Sequence, residues 1–226
     1  MVIAAGGRGR RMGGPVPKQF IRLLGKPVIQ WTMELFDSLR SVHEIVVVAP
    51  HRHQSEVERL VHRSGLRKVS RVVAGGKERQ DSVWNGLHAF DRIPDIVLIH
   101  DAVRPVVTAR VVQDVIKKAV IHRAAVVGVR VRDTIKEEKH KGVRLHTLAR
   151  NRLWAVQTPQ GFWFDVLVRA HREARHAGYV GTDDASLVER LHVPVWVVEG
   201  EYTNLKITTR VDLVLAKLYM KRPKGS

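Results

Sequence analysis

Short runs rich in β-branched residues recur along this chain at intervals filled by helical patterns, and that alternation restricts the fold more than any other feature. The stretches 44–49 (EIVVVA), 69–73 (VSRVV), 95–100 (DIVLIH), 124–129 (AAVVGV) and 193–198 (VPVWVV) are short and mostly apolar. Strands buried on both faces read as near-continuous apolar runs, so these predict a largely parallel sheet. Between them lie helical patterns at 28–39, with Pro27 at the first turn, at 54–63, at 81–90, and at 108–122, where Thr108 is suited to cap. Further helices are predicted over 163–177, 184–191 and 211–220. Strands alternating with helices imply a three-layer α/β/α sandwich.

The remaining composition narrows the class. At 226 residues and 44% hydrophobic content the chain can bury a full core, and a single domain is expected over residues 1–220. No apolar run approaches the roughly 20 residues that cross a bilayer, and the first residues lack a signal-peptide core, so a cytoplasmic protein with no membrane partner is expected. The absence of cysteine excludes disulfides, thiolate catalysis and cysteine-based zinc sites. A net charge of +17 attracts polyanions, but its sign does not choose among nucleic acid, an anionic membrane and phosphorylated small molecules. The basic residues are scattered, only 6% of residues are aromatic, and no RNA-binding signature is present, so no specific nucleic-acid partner is expected.

Residues 132–152 break the rhythm. They are highly charged, with Gly142 between Thr134-Ile135 and Val143-Arg144-Leu145, which reads as a hairpin arm, although charge alone fits a solvated loop. Residues 221–226 read as a disordered tail. The histidines at 51, 53, 171 and 176 have no metal-site companions at suitable spacing and are expected at the surface. Trp31, Trp84, Trp154 and Trp163 sit amid apolar neighbours and are expected in the core or at a dimer interface.

Chemistry is expected where strands end, because ligands of open α/β sheets bind beyond the carboxyl ends. After the first short strand comes Ala4-Ala5-Gly6-Gly7-Arg8-Gly9-Arg10-Arg11-Met12, with Lys18 six residues further on. Glycines let backbone N–H groups approach phosphate oxygens, and the cations can stabilise a phosphoryl transition state. Neither a Walker sequence nor an intact G-x-G-x-x-G is present. After the run 69–73 come Gly75, Gly76 and Ser82, which suit a flat base, although Asp81-Ser82 could equally start the next helix. After the run 95–100, Asp101 faces the basic loop as a group able to hold Mg²⁺ on nucleotide phosphates, or to cap a turn or pair with Arg104.

Six motifs in order, Ala4-Ala5-Gly6 with Arg11-Met12 and Pro17-Lys18-Gln19-Phe20, Gly75-Gly76 with Arg79 and Asp81-Ser82-Val83, His100-Asp101-Ala102-Val103-Arg104-Pro105, Thr158-Pro159-Gln160, Thr182-Asp183-Asp184-Ala185-Ser186 and Asn204-Leu205-Lys206-Ile207-Thr208, closely resemble the 2-C-methyl-D-erythritol 4-phosphate cytidylyltransferases of the non-mevalonate isoprenoid pathway. The resemblance implies a Rossmann-like nucleotide-diphospho-sugar transferase fold with a protruding β-arm that exchanges between the subunits of a homodimer. It implies transfer of CMP from CTP to the alcohol phosphate with Mg²⁺. By motif, Arg11 and Lys18 are its catalytic pair, and Ala4, Ala5, Gly6, Gly76, Ser82, Asp101 and Arg104 line the nucleotide, with Asp101 also the metal residue. Thr134, Arg150, Thr158, Thr182 and Lys206 fall on its alcohol-phosphate positions, and Arg150 is expected to act in the partner's site. Arg8, Arg10 and Gln157 depart from the family pattern. A sister activity toward ribitol 5-phosphate shares most nucleotide-side motifs, and a basic nucleic-acid-binding protein is the rival from another class.

Overall fold

Side chains alternate across each strand, so every strand of a central sheet needs cover on both faces, and the helices between the strands supply it. The computed structural model describes residues 1–6, 16–140 and 144–221. In chain order the strands are β1 (Val2–Ala4), β2 (Arg22–Leu23), β3 (Lys26–Pro27), β4 (Ile45–Ala49), β5 (Val69–Ala74), β6 (Ile96–Asp101), β7 (Ala124–Arg130), β8 (Lys136–His140), β9 (Arg144–Thr147), β10 (Trp154–Trp163) and β11 (Trp196–Glu199). The helices are α1 (Val28–Ser38), α2 (Gln54–Arg63), α3 (Arg79–Leu87), α4 (Ala109–His122), α5 (Phe164–His176), α6 (Asp184–Glu189) and α7 (Arg210–Lys221).

The main sheet has the order β11-β7-β10-β6-β1-β4-β5. On one face Ile3, Val47, Leu98 and Val127 meet Met33 and Phe36 of α1, Val57 of α2 and Val115 of α4. On the other, Val2, Val48, Ile99 and Phe162 meet Val83 of α3, Leu167 of α5 and Leu187 of α6. Neighbours in sequence thus feed opposite cores, which is why the strands read as unbroken apolar runs. A smaller cluster of Leu23, Val28, Val103, Ile207 and Ala216 docks α7.

All pairings in this sheet are parallel except those of β10, which runs antiparallel to both β6 and β7. The carboxyl ends of β1, β4, β5, β6 and β7 therefore share one edge. Strand β10 was not among the expected strands. Pro159 and Gly161 carry turn chemistry, and a register shift between Gln157 and Gln160 takes Thr158 and Pro159 out of the ladder with β7. Of the other boundaries that differ, two have a clear local cause. Helix α3 starts at Arg79 rather than Asp81, because Glu78 caps it and the Asp81 side chain closes a capping box. Strand β11 is confined to Trp196–Glu199, after Pro194. Thr108 does cap α4, accepting from the Val111 N–H at 3.4 Å.

Within 132–152, β8 and β9 pair antiparallel in a sheet of their own. The segment leaves from the carboxyl end of β7, the edge that the other strand ends share. Its base is fastened by aromatic contacts: Arg130 lies 3.9 Å from the Trp154 ring and Arg132 lies 3.5 Å from the Tyr202 ring. Helix α7 includes Lys221, so the expected tail is one residue shorter at its start, and residues 222–226 lie outside the described residues.

Of the two places expected for the tryptophans, the core interior is not where they sit. Trp31, Trp84, Trp154 and Trp163 are half-buried at the rim of the core, with cations over their rings from Lys26, Arg175, Arg130 and Arg123 respectively. A chain this basic covers indole faces with its own cations. Among the described residues no helix is long and apolar enough to cross a membrane.

Gly161 fixes how closely α4 approaches the sheet. A Cβ there would lie 2.8 Å from Val115 Cγ1 and 3.1 Å from Leu98 Cδ2, between helix and strand. Gly161→Ala is expected to cost about 1–3 kcal/mol, seen as a lower urea midpoint at unchanged m; an unchanged midpoint would mean that α4 moves freely away.

Candidate functional site

The backbone first brings the strand ends together. The Ala5 N–H donates to the Val48 carbonyl at 2.8 Å, the Ala102 N–H to the Ala4 carbonyl at 3.0 Å, and the Gly75 N–H to the Ala49 carbonyl at 2.8 Å. These bonds carry the β1, β4, β5 and β6 ladders one residue beyond their ends. Gln19, buried beside Lys18, donates from Nε2 to the Ala5 carbonyl at 2.8 Å and ties the Pro17-Lys18-Gln19-Phe20 turn to the same place. Lys18 itself is half-buried there. Arg11, with Arg8 and Arg10, lies outside the described residues.

Gly6, Gly75, Gly76 and Ser82 form one close-packed group. A Cβ on Gly6 or on Gly75 would stand 3.0 Å from Ser82 Oγ, and one on Gly76 would collide with Asp81. At Gly76 only glycine fits, whereas a Cβ on Gly6 or Gly75 would require the Ser82 side chain to give. Ser82 Oγ accepts from the Gly76 N–H at 3.1 Å and donates to the Glu78 carbonyl at 3.1 Å. Its donor is therefore engaged within the loop, and its remaining capacity is as an acceptor.

Asp101 ends β6 with its side chain 9% exposed, and three cations face it. Lys206 Nζ is 2.7 Å from Oδ2, Arg104 Nε is 3.7 Å from Oδ2, and Arg79 Nε is 3.4 Å from Oδ1. Burial alone would raise this carboxyl, but Arg79, Lys206 and Arg104 outweigh it and hold it well below the usual carboxylate range. Arg104 is oriented by a 2.7 Å bond from Nη1 to the Asn204 carbonyl, while its buried Nε has no hydrogen-bond partner among the described residues. Asn204 in turn donates to Gln157 Oε1 at 3.1 Å and to the Thr158 carbonyl at 2.9 Å.

Thr158 lies beneath Asp101 and is buried. Its Oγ1 accepts from the Asp101 N–H at 3.1 Å and stands 3.1 Å from His100 Nδ1. His100 Nε2 is 3.2 Å from the Arg104 carbonyl, which can only accept. The proton is thus on Nε2, and Nδ1 accepts from the Thr158 hydroxyl. Burial pushes the His100 imidazole down to about 3, which keeps it neutral in this role. The hydroxyl of Thr158 is consequently engaged in fixing the Asp101 backbone.

Thr182 is exposed in the turn before α6, while Asp183 and Asp184 are gripped by Gln160: Nε2 donates to Asp183 Oδ2 at 2.7 Å, and Oε1 accepts from the Asp184 N–H at 3.2 Å. Thr134 and Arg150 are exposed on the arm, where Arg150 Nη1 donates to the Arg132 carbonyl at 2.7 Å. The structure therefore gathers Ala4, Ala5, Gly6, Gly76, Ser82, Asp101, Arg104, Thr158 and Lys206 at one sheet edge, and keeps Thr134 and Arg150 on the arm. Three residues given no role by the sequence, Arg79, Asp184 and His171, also join this group. Asp184 is 1% exposed and bonded to both Arg79 and His171. His171 is fully buried, not at the surface as expected, because Asp184 Oδ1 pairs with its Nε2 at 3.1 Å. The signal was indirect: Arg79 and Asp184 belong to quoted motifs, but nothing in sequence joins two positions so far apart.

The family model for 2-C-methyl-D-erythritol 4-phosphate cytidylyltransferase matches residues 1–222. The chain belongs to this cytidylyltransferase family. It is 50% identical over 222 residues to the cytidylyltransferase of Symbiobacterium thermophilum, covering 98% of this chain and 92% of that protein. The crystal structure of 2-C-methyl-D-erythritol 4-phosphate cytidylyltransferase from Thermus thermophilus superposes with a TM-score of 0.80 at 34% identity, covering 98% of each chain. That of 4-diphosphocytidyl-2C-methyl-D-erythritol synthase from Anaerococcus prevotii gives 0.85 at 26% identity, covering 98% of this chain and 97% of that one. The mixed sheet with one antiparallel strand is thus the sheet of a Rossmann-like cytidylyltransferase.

His100 makes acid stability a reporter of this site. Its unfolded value is near 6.5 and its folded value near 3, so the unfolded chain binds the extra proton between them. Stability is fully present above about pH 6.5 and falls below it, by about 2 kcal/mol between pH 6.5 and 5 at about 1.36 kcal/mol per unit. Urea melts at both values should show that loss in the wild type and a flatter profile in His100→Asn; equal slopes would contradict the buried neutral imidazole.

Proposed function

We propose that this chain transfers CMP from CTP to 2-C-methyl-D-erythritol 4-phosphate, releasing pyrophosphate and 4-diphosphocytidyl-2-C-methyl-D-erythritol for isoprenoid precursor synthesis. The observation that carries this reading is the convergence of the family's nucleotide positions Gly6, Gly76, Ser82 and Asp101 with the alcohol-phosphate position Lys206 on one sheet edge. Relatives at 50%, 42% and 44% identity bear the methylerythritol name, which favours that substrate over ribitol 5-phosphate, and nucleic acid has no comparable support.

In this reading a phosphate oxygen of the alcohol substrate attacks the α-phosphorus of CTP, and pyrophosphate leaves from the opposite side. The nucleophile is already ionised, so no protein base is required. The obstacle is repulsion between two anions. Arg11 and Lys18 stabilise charge on the α-phosphate, Lys206 and Arg104 hold the site positive, and Gly6 with Gly76 lets the base approach the backbone. Asp101 keeps those cations in place and faces the ribose side of the nucleotide.

A resident Mg²⁺ does not fit Asp101 as the side chain stands. Its two oxygens are faced by Arg79, Arg104 and Lys206, and that field opposes a dication. Among the described residues no three His, Asp or Glu side chains gather around a cation site. An ion held by triphosphate oxygens, as Mg²⁺ commonly is, suits the arrangement without a protein cage.

We further propose that residues 1–220 act as one unit and that the 132–152 arm joins two copies in a homodimer, presenting Arg150 and Thr134 to the partner's alcohol-phosphate site. The exposed Leu145 and Val156, 65% and 43% accessible, are the apolar surface a partner would cover. Lys18→Ala is expected to cut pyrophosphate release by at least about 100-fold while calorimetric CTP affinity changes less than about tenfold. Near-normal turnover would remove Lys18 from the chemistry. Mixed Lys18→Ala and Arg150→Ala subunits should regain activity that neither variant has alone; no regain would contradict action across subunits.

A further inference from the structure

Arg79 stands where three segments meet. It is the first residue of α3, its Nε is 3.4 Å from Asp101 Oδ1 at the end of β6, and its Nη1 is 2.7 Å from Asp184 Oδ2 at the start of α6. Behind Asp184, His171 of α5 holds the other carboxylate oxygen through Nε2 at 3.1 Å. The side chains of Asp184 and His171 are 1% and 0% exposed, whereas that of Arg79 is 29% exposed. A line of charge-assisted contacts therefore runs from the site edge into the interior. The turn bearing Thr182 is fixed at the same place, since Gln160 grips Asp183 and the Asp184 backbone.

We propose that Arg79 is a positioning residue for cytidylyl transfer: its guanidinium, anchored on the buried Asp184–His171 pair, sets Asp101 on the nucleotide side relative to the Thr182 turn on the alcohol-phosphate side. The inference rests on the cytidylyltransferase reading above. A planar guanidinium serves two carboxylates through separate nitrogens, which the point charge of an ammonium does not. The two carboxylates also differ in need. Asp184 is deeply buried and its charge is met by Arg79 and His171, so leaving it without Arg79 is costly. Asp101 keeps Lys206 and Arg104. A lysine at position 79 therefore goes to Asp184, the inner pair survives, and only the contact with Asp101 is lost. Loss of register at reacting groups by about 1 Å is enough to slow turnover by about 100-fold.

Arg79→Lys tests this directly, with Asp184→Asn as the second variant because it removes the inner anchor at nearly constant volume. Steady-state kinetics for CTP and for the alcohol phosphate would be measured beside thermal melting. For Arg79→Lys the expected result is kcat reduced by about tenfold or more, KM for CTP within about threefold, and a melting temperature within a few degrees of wild type. Asp184→Asn should lower kcat per folded enzyme in the same direction. Turnover within about twofold of wild type in both variants would overturn the inference, as would a large rise in KM for CTP at unchanged kcat, which would make Arg79 a substrate contact. Wild-type protein without turnover would overturn the cytidylyltransferase reading and this inference together, whereas normal variants beside an active wild type overturn the inference alone.

Discussion

A single carboxylate, Asp101, organises the positive charge of this site. Two anionic substrates need several cations side by side, and cations crowded without a counter-charge repel one another and strain the fold. Asp101 resolves that conflict from the end of β6, where burial strengthens its attraction for Lys206, Arg104 and Arg79. With three positive groups facing one carboxylate, the site retains an excess of positive charge while each cation keeps a fixed position. Under the proposed function this is preorganisation in the electrostatic sense: charges for a pentacoordinate phosphorus would be oriented before substrate arrives.

The rest of the molecule can be understood as support for that carboxylate. Thr158 and His100 fix its backbone from below, and the bulge in β10 frees Thr158 to do so. Asn204 and Gln157 hold Arg104 and the segment leading to Lys206. Arg79 links the carboxylate to the core through Asp184. These residues come from β6, β10, the starts of α3 and α6 and the turn that holds Asn204, and the two apolar cores on either face of the sheet keep those segments in register. Gln157, which departs from the family pattern, is buried, donates to the Glu201 carbonyl at 3.0 Å and so has a structural part here.

Much of this was legible in sequence because two kinds of signal are local. Buried parallel strands and amphipathic helices announce themselves by period, and the glycine loops and strand-end polar residues lie where such a sheet binds ligands. Strand β10 was not legible, since Pro159 and Gly161 argue against a strand unless a bulge and a close helix approach are known to accommodate them. The burial of His171 was hidden for a related reason: its partner Asp184 and the cation Arg79 are joined only by folding. Half-buried tryptophans under cations were missed because apolar neighbours in sequence say little about what covers the outer face of a ring.

The central claim is that the nucleotide sits at the carboxyl edge of the sheet against the cation-bearing Asp101. A crystal structure of the protein with CTP bound tests it most directly. The account predicts cytosine beside Gly76 and Ser82, ribose near Asp101, and the triphosphate on the loop that follows β1 with Lys18 toward the α-phosphate. CTP bound at the opposite edge, near the amino ends of β1, β4 and β6, or with its phosphates away from Lys18, would contradict it.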